Sequence, residues 1–433
     1  MKEILLCLSF ALIVGLLMSR IAKKVGLPAV TAYLITGLLI GPFVLGRLRI
    51  AGVGFNSLDQ VEAFSIISQV ALGFIAFAIG NEFRLHDLKS MGKQAITVGI
   101  LQAVITTIVV DIALVLLHYI NPSIISLSSA ITLGAIAAAT APAATLMVVR
   151  QYKAEGPLTK LLLMVVAIDD AVGLIVFALS FGIATALESG AISITSVLVE
   201  PIMEIVLSCV LGVVAGYVLT ILEKYFHSRS KRMSLAVGFV LLTTGLSMME
   251  FDVSGVHLGF SLLLVCMITG TVFCNTCEAS EELMGRVERW TSPLNVLFFI
   301  ISGAELDLNI LTNPMVLLIG IVYIAFRSTG KISGAYISCK MTHCKEEIQK
   351  HLGITLLPQA GVALGMAATA ASLSDGAIVR NIVLFSVLVY ELVGPTLTKR
   401  SLIAAGEIKL DGRVSSRELN KEKEATIITK DKK

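Results

Sequence analysis

Charge is what this sequence has least of. Asp, Glu, Lys and Arg make up 15% of its 433 residues, and 56% of residues are hydrophobic. A soluble domain carries roughly 25% charged residues, so a water-exposed surface of this size cannot be built from the charges present. A basic stripe is also lacking outside the loops and the tail, which argues against a nucleic-acid partner. Cysteine is sparse and odd in number, at seven. Cys274 and Cys277 form a C-x-x-C without a second spaced pair, and His343 and Cys344 lie far along the chain. No resident metal site is expected from them, and the thiols read as reduced groups near helix ends. The apolar run from Lys2 to Met18 has no small-residue cleavage pattern before Arg20, Lys23 and Lys24. It is expected to be a retained first membrane helix, not a cleaved signal. No nucleophile–base pair or zinc-protease motif is present, so the chain is not expected to be an enzyme, and no cofactor is implied.

What the sequence does have is apolar runs of spanning length. A helix needs about 20 such residues to cross a bilayer. Thirteen runs are read, at approximately 3–20, 28–48, 61–83, 94–118, 124–149, 158–187, 193–222, 232–250, 255–274, 291–304, 310–338, 350–373 and 378–398. The loops between them alternate in charge. One set holds Arg20, Lys23, Lys24; Arg84, Lys89, Lys93; Arg150, Lys153, Lys160; Lys224, Arg229, Lys231, Arg232; Arg286, Arg289; and Lys340, Lys345, Lys350. The other holds Lys2, Arg47, Arg49 and Arg380. Lys and Arg mark the cytoplasmic side. The N-terminus is therefore expected outside and the C-terminus inside, in a cell inner (plasma) membrane. The polar tail, 406–433, is expected to be solvated.

Two segments read alike. Phe77-Ala-Ile-Gly80-Asn-Glu82-Phe-Arg-Leu85 ends the third run, and Ile300-Ile-Ser-Gly303-Ala-Glu305-Leu-Asp-Leu308 ends the tenth. By the loop charges they point in opposite directions, the signature of an inverted repeat. The expected division is 1–187 as a first six-span repeat, 193–222 as a linker helix and 232–405 as a second six-span repeat. Spans five and twelve then correspond, and both are interrupted, at Thr140-Ala141-Pro142 and at Pro358-Gln359. Matched interruptions point to a transport site near the midplane, because non-helical backbone at that depth must line a cavity or be buried in protein.

Span six carries two adjacent acids, Asp169 and Asp170, in the middle of an apolar helix. Each ionised acid there costs about 2.5–3.5 kcal/mol on insertion scales. Neighbouring helical residues point about 100° apart, so one carboxylate can face a fixed cation while the other faces a water-filled cavity. Span eleven supplies Arg327 and Lys331, four apart on one face. Lys331 is the expected partner of Asp169, although spacing does not choose between the two bases. Arg327 is left to another acid (Glu82, Asp111 or Glu391) or to capping a broken helix. Glu82, Asp111 and Glu391 are secondary candidates, and Glu204 is a further intramembrane acid.

Taken together, Ala138-Ala-Thr140-Ala-Pro142-Ala-Ala, Ala167-Ile-Asp169-Asp170-Ala-Val-Gly and the Arg327/Lys331 helix resemble the bacterial monovalent cation/proton antiporters. The resemblance covers roughly residues 1–400 and is closest to the electrogenic sodium/proton branch with an aspartate doublet. It implies an all-α membrane protein of about 13 helices, with two inverted six-helix repeats and crossed broken helices, working as a homodimer. One domain would move against a static one, giving elevator-type alternating access. The resemblance assigns cation binding to Asp170, the lysine contact to Asp169 and a site contribution to Thr140. Ala141 departs from the family, whose members often carry Ser or Asp there, so Na+, Li+ and K+ all stay open as cargo. The nucleotide-binding domain of glutathione-gated potassium efflux relatives is not seen. The expected activity is exchange of Na+ (or Li+) for H+ at an intramembrane aspartate. The alternatives are a K+/H+ antiporter, a sodium-coupled organic-anion symporter, and a sensor that keeps the fold without flux.

Overall fold

Backbone groups cannot go unpaired in a bilayer, and a chain this apolar meets that constraint with helices. The computed structural model describes residues 2–408 apart from 26–28, 49, 51, 86–91, 123, 142–144, 146–147, 150–151, 189–199, 250, 254–255 and 309–312. Among the described residues, the helices longer than eight residues are α1 (Lys2–Val25), α2 (Ala29–Ile40), α3 (Ser65–Glu82), α4 (Gly92–Ile120), α5 (Leu127–Ala137), α6 (Pro157–Glu188), α7 (Glu200–Glu223), α8 (Arg229–Ser247), α9 (Leu262–Thr276), α10 (Ser280–Ala304), α11 (Pro314–Met341), α12 (Glu346–Thr355), α13 (Gly361–Thr369) and α14 (Gly376–Ala404). Among the described residues, seven are long and apolar enough to cross a membrane: α1, α2 with the turn after it, α4, α6, α7, α11 and α14. Every run read from the sequence meets at least one helix. The protein is an all-α membrane protein.

Local chemistry accounts for several departures from the expected boundaries. α10 begins at Ser280, before the apolar run at 291, because its first half is polar. Glu281 and Glu282 in its first turn suit the helix N-terminus, and Arg286 reaches Glu282 at 3.0 Å. The ninth run, expected from 255, starts as helix only at Leu262. Ahead of it, β1 (Phe251–Val253) and β2 (Val256–Leu258) pair antiparallel, a small exception in an otherwise helical chain. The tail expected to be solvated from 406 is in fact anchored at its first residues. The Glu407 carboxylate accepts from the backbone N–H of Leu158 and Thr159 and from the Thr159 hydroxyl, each at 2.7 Å. Those N–H groups open α6 and have no partner within the helix, so a carboxylate is drawn to them.

Glycine sets how closely the helices cross. A Cβ at Gly37 on α2 would land on the carbonyl oxygen of Ile300 on α10, and one at Gly303 on α10 would land on that of Leu34. The same happens between α3 and α9: Gly80 meets the carbonyl of Met267, and Gly270 that of Phe77. In hydrocarbon there is little hydrophobic drive between helices, and small residues supply adhesion by close backbone contact. α4 and α11 also approach closely, with Gly330 against Thr106 and Gly334 against Gln102. That approach brings Lys331 beside Gln102.

Gly303→Val is therefore expected to cost about 1–3 kcal/mol, the usual range for overpacking. Unfolding of the detergent-purified protein should shift to lower temperature. Gly238→Ala, at a position with nothing near the added methyl, should not lower it. An unshifted Gly303→Val would mean that the α2–α10 crossing is not close-packed.

Candidate functional site

The two interrupted spans meet. α5 stops at Ala137, and residues 139–141 leave the helix; α12 stops at Thr355, and α13 restarts at Gly361. Between them the backbone N–H of Ala141 donates to the carbonyl of Pro358 at 2.8 Å. The Thr140 hydroxyl reaches the carbonyl of Leu356 at 3.3 Å, and that of Thr145 reaches Thr355 at 3.3 Å. Breaking two helices at one level leaves unpaired carbonyls in an apolar interior. Each would cost several kcal/mol if it stayed unpaired.

α11 supplies the groups that satisfy them. Arg327, fully buried, donates from Nε to Ala137 O at 3.1 Å, from Nη1 to Leu357 O at 2.8 Å and from Nη2 to Ala139 O at 2.6 Å. Its guanidinium also lies over the Tyr390 ring, 4.5 Å from the centroid. Of the roles left open for Arg327, capping the breaks is the one the geometry has. Five fixed donors in a planar fork suit that task better than a lysine would.

Lys331, one turn along, is also fully buried. Its Nζ lies 2.6 Å from Asp169 Oδ2, 2.9 Å from Thr140 Oγ1 and 3.1 Å from Gln102 Oε1, and it also donates to the carbonyl of Ala138. Asp169, likewise fully buried, accepts from Gln102 Nε2 on Oδ1 and from Thr140 Oγ1 on Oδ2. The ion pair is thus saturated by an amide and a hydroxyl, the condition under which two charges are tolerated away from water.

Asp170 follows on α6, but its side chain lies outside the described residues, as do Pro142 and the side chain of Glu82. Gln359 is buried and bridges the breaks: Nε2 donates to Ile136 O at 3.1 Å and to Tyr323 Oη at 3.0 Å, and Oε1 accepts from Ser386 at 3.2 Å. Asp111 and Glu391 are not part of this cluster. Asp111 sits on α4 nine residues from Gln102, about 13 Å along the axis, with Oδ1 buried, unbonded and pressed against Gly134. Glu391 on α14 accepts from Thr31 on α2 at 3.3 Å. Glu305, aligned with Glu82, lies 3.7 Å from Arg380.

Gln102, Tyr323 and Ser386 were not singled out from the sequence. Gln102 left a trace: an amide in the apolar run of α4, one turn before Thr106 and Thr107. Its two ends bind Lys331 and Asp169, so it fixes the distance between them.

Comparison with known proteins places this arrangement. The family profile described as "Sodium/hydrogen exchanger, transmembrane" matches residues 8–403. The chain is 26% identical to K(+) efflux antiporter 5 of Arabidopsis thaliana over 83% of its own length; it spans 59% of the plant protein. It is 21% identical to a K(+)/H(+) antiporter subunit of Bacillus subtilis, covering 90% of this chain and 92% of that one. It is 24% identical to a Na(+)/H(+) antiporter of Synechocystis, covering 82% and 84%. The fold is similar to that of a sodium proton antiporter from Methanocaldococcus jannaschii solved at pH 8, with a TM-score of 0.69 at 19% identity, covering 91% of this chain and 97% of that one.

Proposed function

We propose that this chain, which belongs to the sodium/hydrogen exchanger family by a match over residues 8–403, is a secondary antiporter that exchanges Na+ or Li+ for protons at Asp170. The observation that carries the reading is the neutralised cluster beside Asp170. Asp169 is balanced by Lys331, and Arg327 and Lys331 cap the carbonyls of Ala137, Ala138, Ala139 and Leu357. The second carboxylate of the doublet is then the acid left to take a proton or a cation. With those carbonyls engaged by Arg327 and Lys331, the ligand the doublet adds for a cation is a carboxylate. A carboxylate is a strong-field ligand, and strong fields favour the smaller, more tightly charged ion over K+.

Exchange follows from competition. A proton and a cation neutralise the same carboxylate and exclude each other. Only the neutralised states cross the apolar barrier, since a bare carboxylate carries the burial cost. The packing supports two inverted halves: α2 on α10 and α3 on α9 meet at exchanged pairs of glycines, and α4 meets α11. The bundle α4–α6 with α11–α14 would move against α1–α3 with α8–α10, in a homodimer in the plasma membrane. The alternating loop charges support an external N-terminus and a cytoplasmic C-terminus.

The test is flux into proteoliposomes under an imposed pH gradient. Na+ and Li+ should each collapse the gradient at lower concentration than K+. Collapse by K+ alone would make the chain a K+/H+ antiporter, like the relatives of that name, and no collapse by any of the three would overturn the antiport reading.

A further inference from the structure

The doublet has a counterpart in the second half. Asp170-Ala-Val-Gly173 on α6 and Glu391-Leu-Val-Gly394 on α14 share an acid, a valine two residues on and a glycine three residues on. They lie 221 positions apart, against 223 for Gly80 and Gly303. Each helix follows the broken span of its half. The packing agrees with the alignment. A Cβ at Gly173 would lie 3.7 Å from the backbone nitrogen of Ala139 at the first break, and one at Gly394 2.9 Å from Cγ of Pro358 at the second. Apart from the repeat symmetry, which would match α11 with α4, the residue before each acid also lies against a base of α11: Asp169 pairs with Lys331, and the Tyr390 ring lies under Arg327.

Glu391 is 1% exposed. Oε2 accepts from the Thr31 hydroxyl at 3.3 Å, and Oε1 is buried with no hydrogen bond. Among the described residues, the elements packed against α14 offer it no counter-ion. α2 has Tyr33 and no charged residue, and α5 and α13 have no titratable residue. On α11, Arg327 and Lys331 are committed to the breaks and to Asp169, Tyr323 to Gln359, and Lys340 lies near the Tyr336 ring at the helix end. On α12 the titratable residues Glu346, Glu347, Lys350 and His351 lie in the first six positions, with Lys350 paired to Glu346. On α14 itself, Arg380 pairs with Glu305, the Tyr390 hydroxyl lies 2.8 Å from Ser328 and Ile324 O, and Lys399 lies over Tyr152; Arg400 is nine residues on. Thr398, seven residues on and on the same face, also has a buried hydroxyl with no hydrogen bond.

We propose that Glu391 is a second proton-binding carboxylate of the exchange cycle, the counterpart of Asp170 in the other half, protonated where α14 lies against α2 and releasing that proton when the contact opens. The inference rests on the antiport reading above. The physical reason is that an ionised carboxylate 1% exposed and without a counter-ion among the described residues is too costly between two apolar helices. The α14 face can slide along α2 only while Glu391 is neutral. The proton is carried as a carboxylic acid O–H and leaves to water, with no other bond changed. Exchange would then depend on pH through two acids instead of one.

The experiment compares the pH profile of exchange in proteoliposomes for wild type, Glu391→Gln and Glu391→Asp. Gln is permanently neutral, so the profile should lose the limb set by Glu391 and flatten. Asp keeps the acid at a different depth, so the limb should return at a displaced pH. A purely structural role would scale the rate equally at every pH, and a profile of unchanged shape in Glu391→Gln would overturn the inference. If the Gln variant fails to insert, Glu391→Asp decides alone: a displaced limb supports the proposal, and a superimposable profile overturns it. A wild type that exchanges nothing would remove the antiport reading itself, which is a distinct result.

Discussion

Asp170→Asn ends cation/proton exchange and leaves the protein folded in the membrane. Asn has nearly the same shape as Asp, but it neither takes up a proton in this range nor attracts a cation with a full charge. If Asp170 is where the two compete, both substrates are lost together, and flux in proteoliposomes should fall to that of empty vesicles. The fold should survive, because an acid in the middle of an apolar helix costs about 2.5–3.5 kcal/mol when ionised and the amide removes that cost. The Asp169–Lys331 pair and the Arg327 caps do not depend on it. The unfolding temperature in detergent should therefore equal or exceed that of wild type. Wild-type flux from the purified variant would remove Asp170 from the site.

Lys331→Gln acts on stability first and on charge second. Removing one member of a buried pair costs about 3–5 kcal/mol, because the other charge is left behind. Here Asp169 keeps Gln102 and Thr140 as donors, which holds the loss to the lower end of that range. An isolated ammonium is disfavoured in a low-dielectric interior, and the contact with Asp169 offsets that cost for Lys331. A cation arriving at the adjacent Asp170 competes for that attraction, and we propose that Lys331 then gives up a proton. That proton, beside those held by the carboxylates, would make the cycle electrogenic, coupled to membrane potential at roughly 2.3 kcal/mol per 100 mV for one net charge. In Lys331→Gln, exchange continues at Asp170 and the charge moved per cation falls. Currents on supported membranes beside isotope flux give that ratio, and an unchanged ratio would mean that the lysine is not a proton carrier.

Much of this site was legible in the sequence because membrane burial makes polar residues conspicuous. Asp169, Asp170, Arg327 and Lys331 stand out in apolar runs, and Thr140-Ala141 and Pro358 lie where two helices are interrupted. The doublet's need for a counter-ion points to α11, and the structure picks Lys331 over Arg327 as the partner of Asp169. The sequence offers capping a broken helix as one task for Arg327 but does not choose it over pairing with an acid. Its three acceptors are backbone carbonyls on two broken segments, and a carbonyl leaves no mark in a sequence. Gln102 was missed for a related reason: one amide in a 29-residue helix becomes informative only once Gly330 and Gly334 have brought α11 against it. Glu407 was read as part of a solvated tail. Its value comes from the free N–H groups at the start of α6, some 250 residues earlier. The correspondence of Glu391 with Asp170 was present as D-A-V-G and E-L-V-G, but four residues in two long helices meant little until Gly173 and Gly394 were found against the two breaks.

Competition between a proton and a cation at one carboxylate is tested most directly by cation affinity as a function of pH. Binding of Na+ to the purified protein, measured by calorimetry or isotope, should weaken by at least about tenfold for each unit the pH falls below the titration of the site, since each bound cation displaces at least one proton. That dependence should vanish with the binding itself in Asp170→Asn. An affinity that stays constant with pH in the wild type would contradict the account.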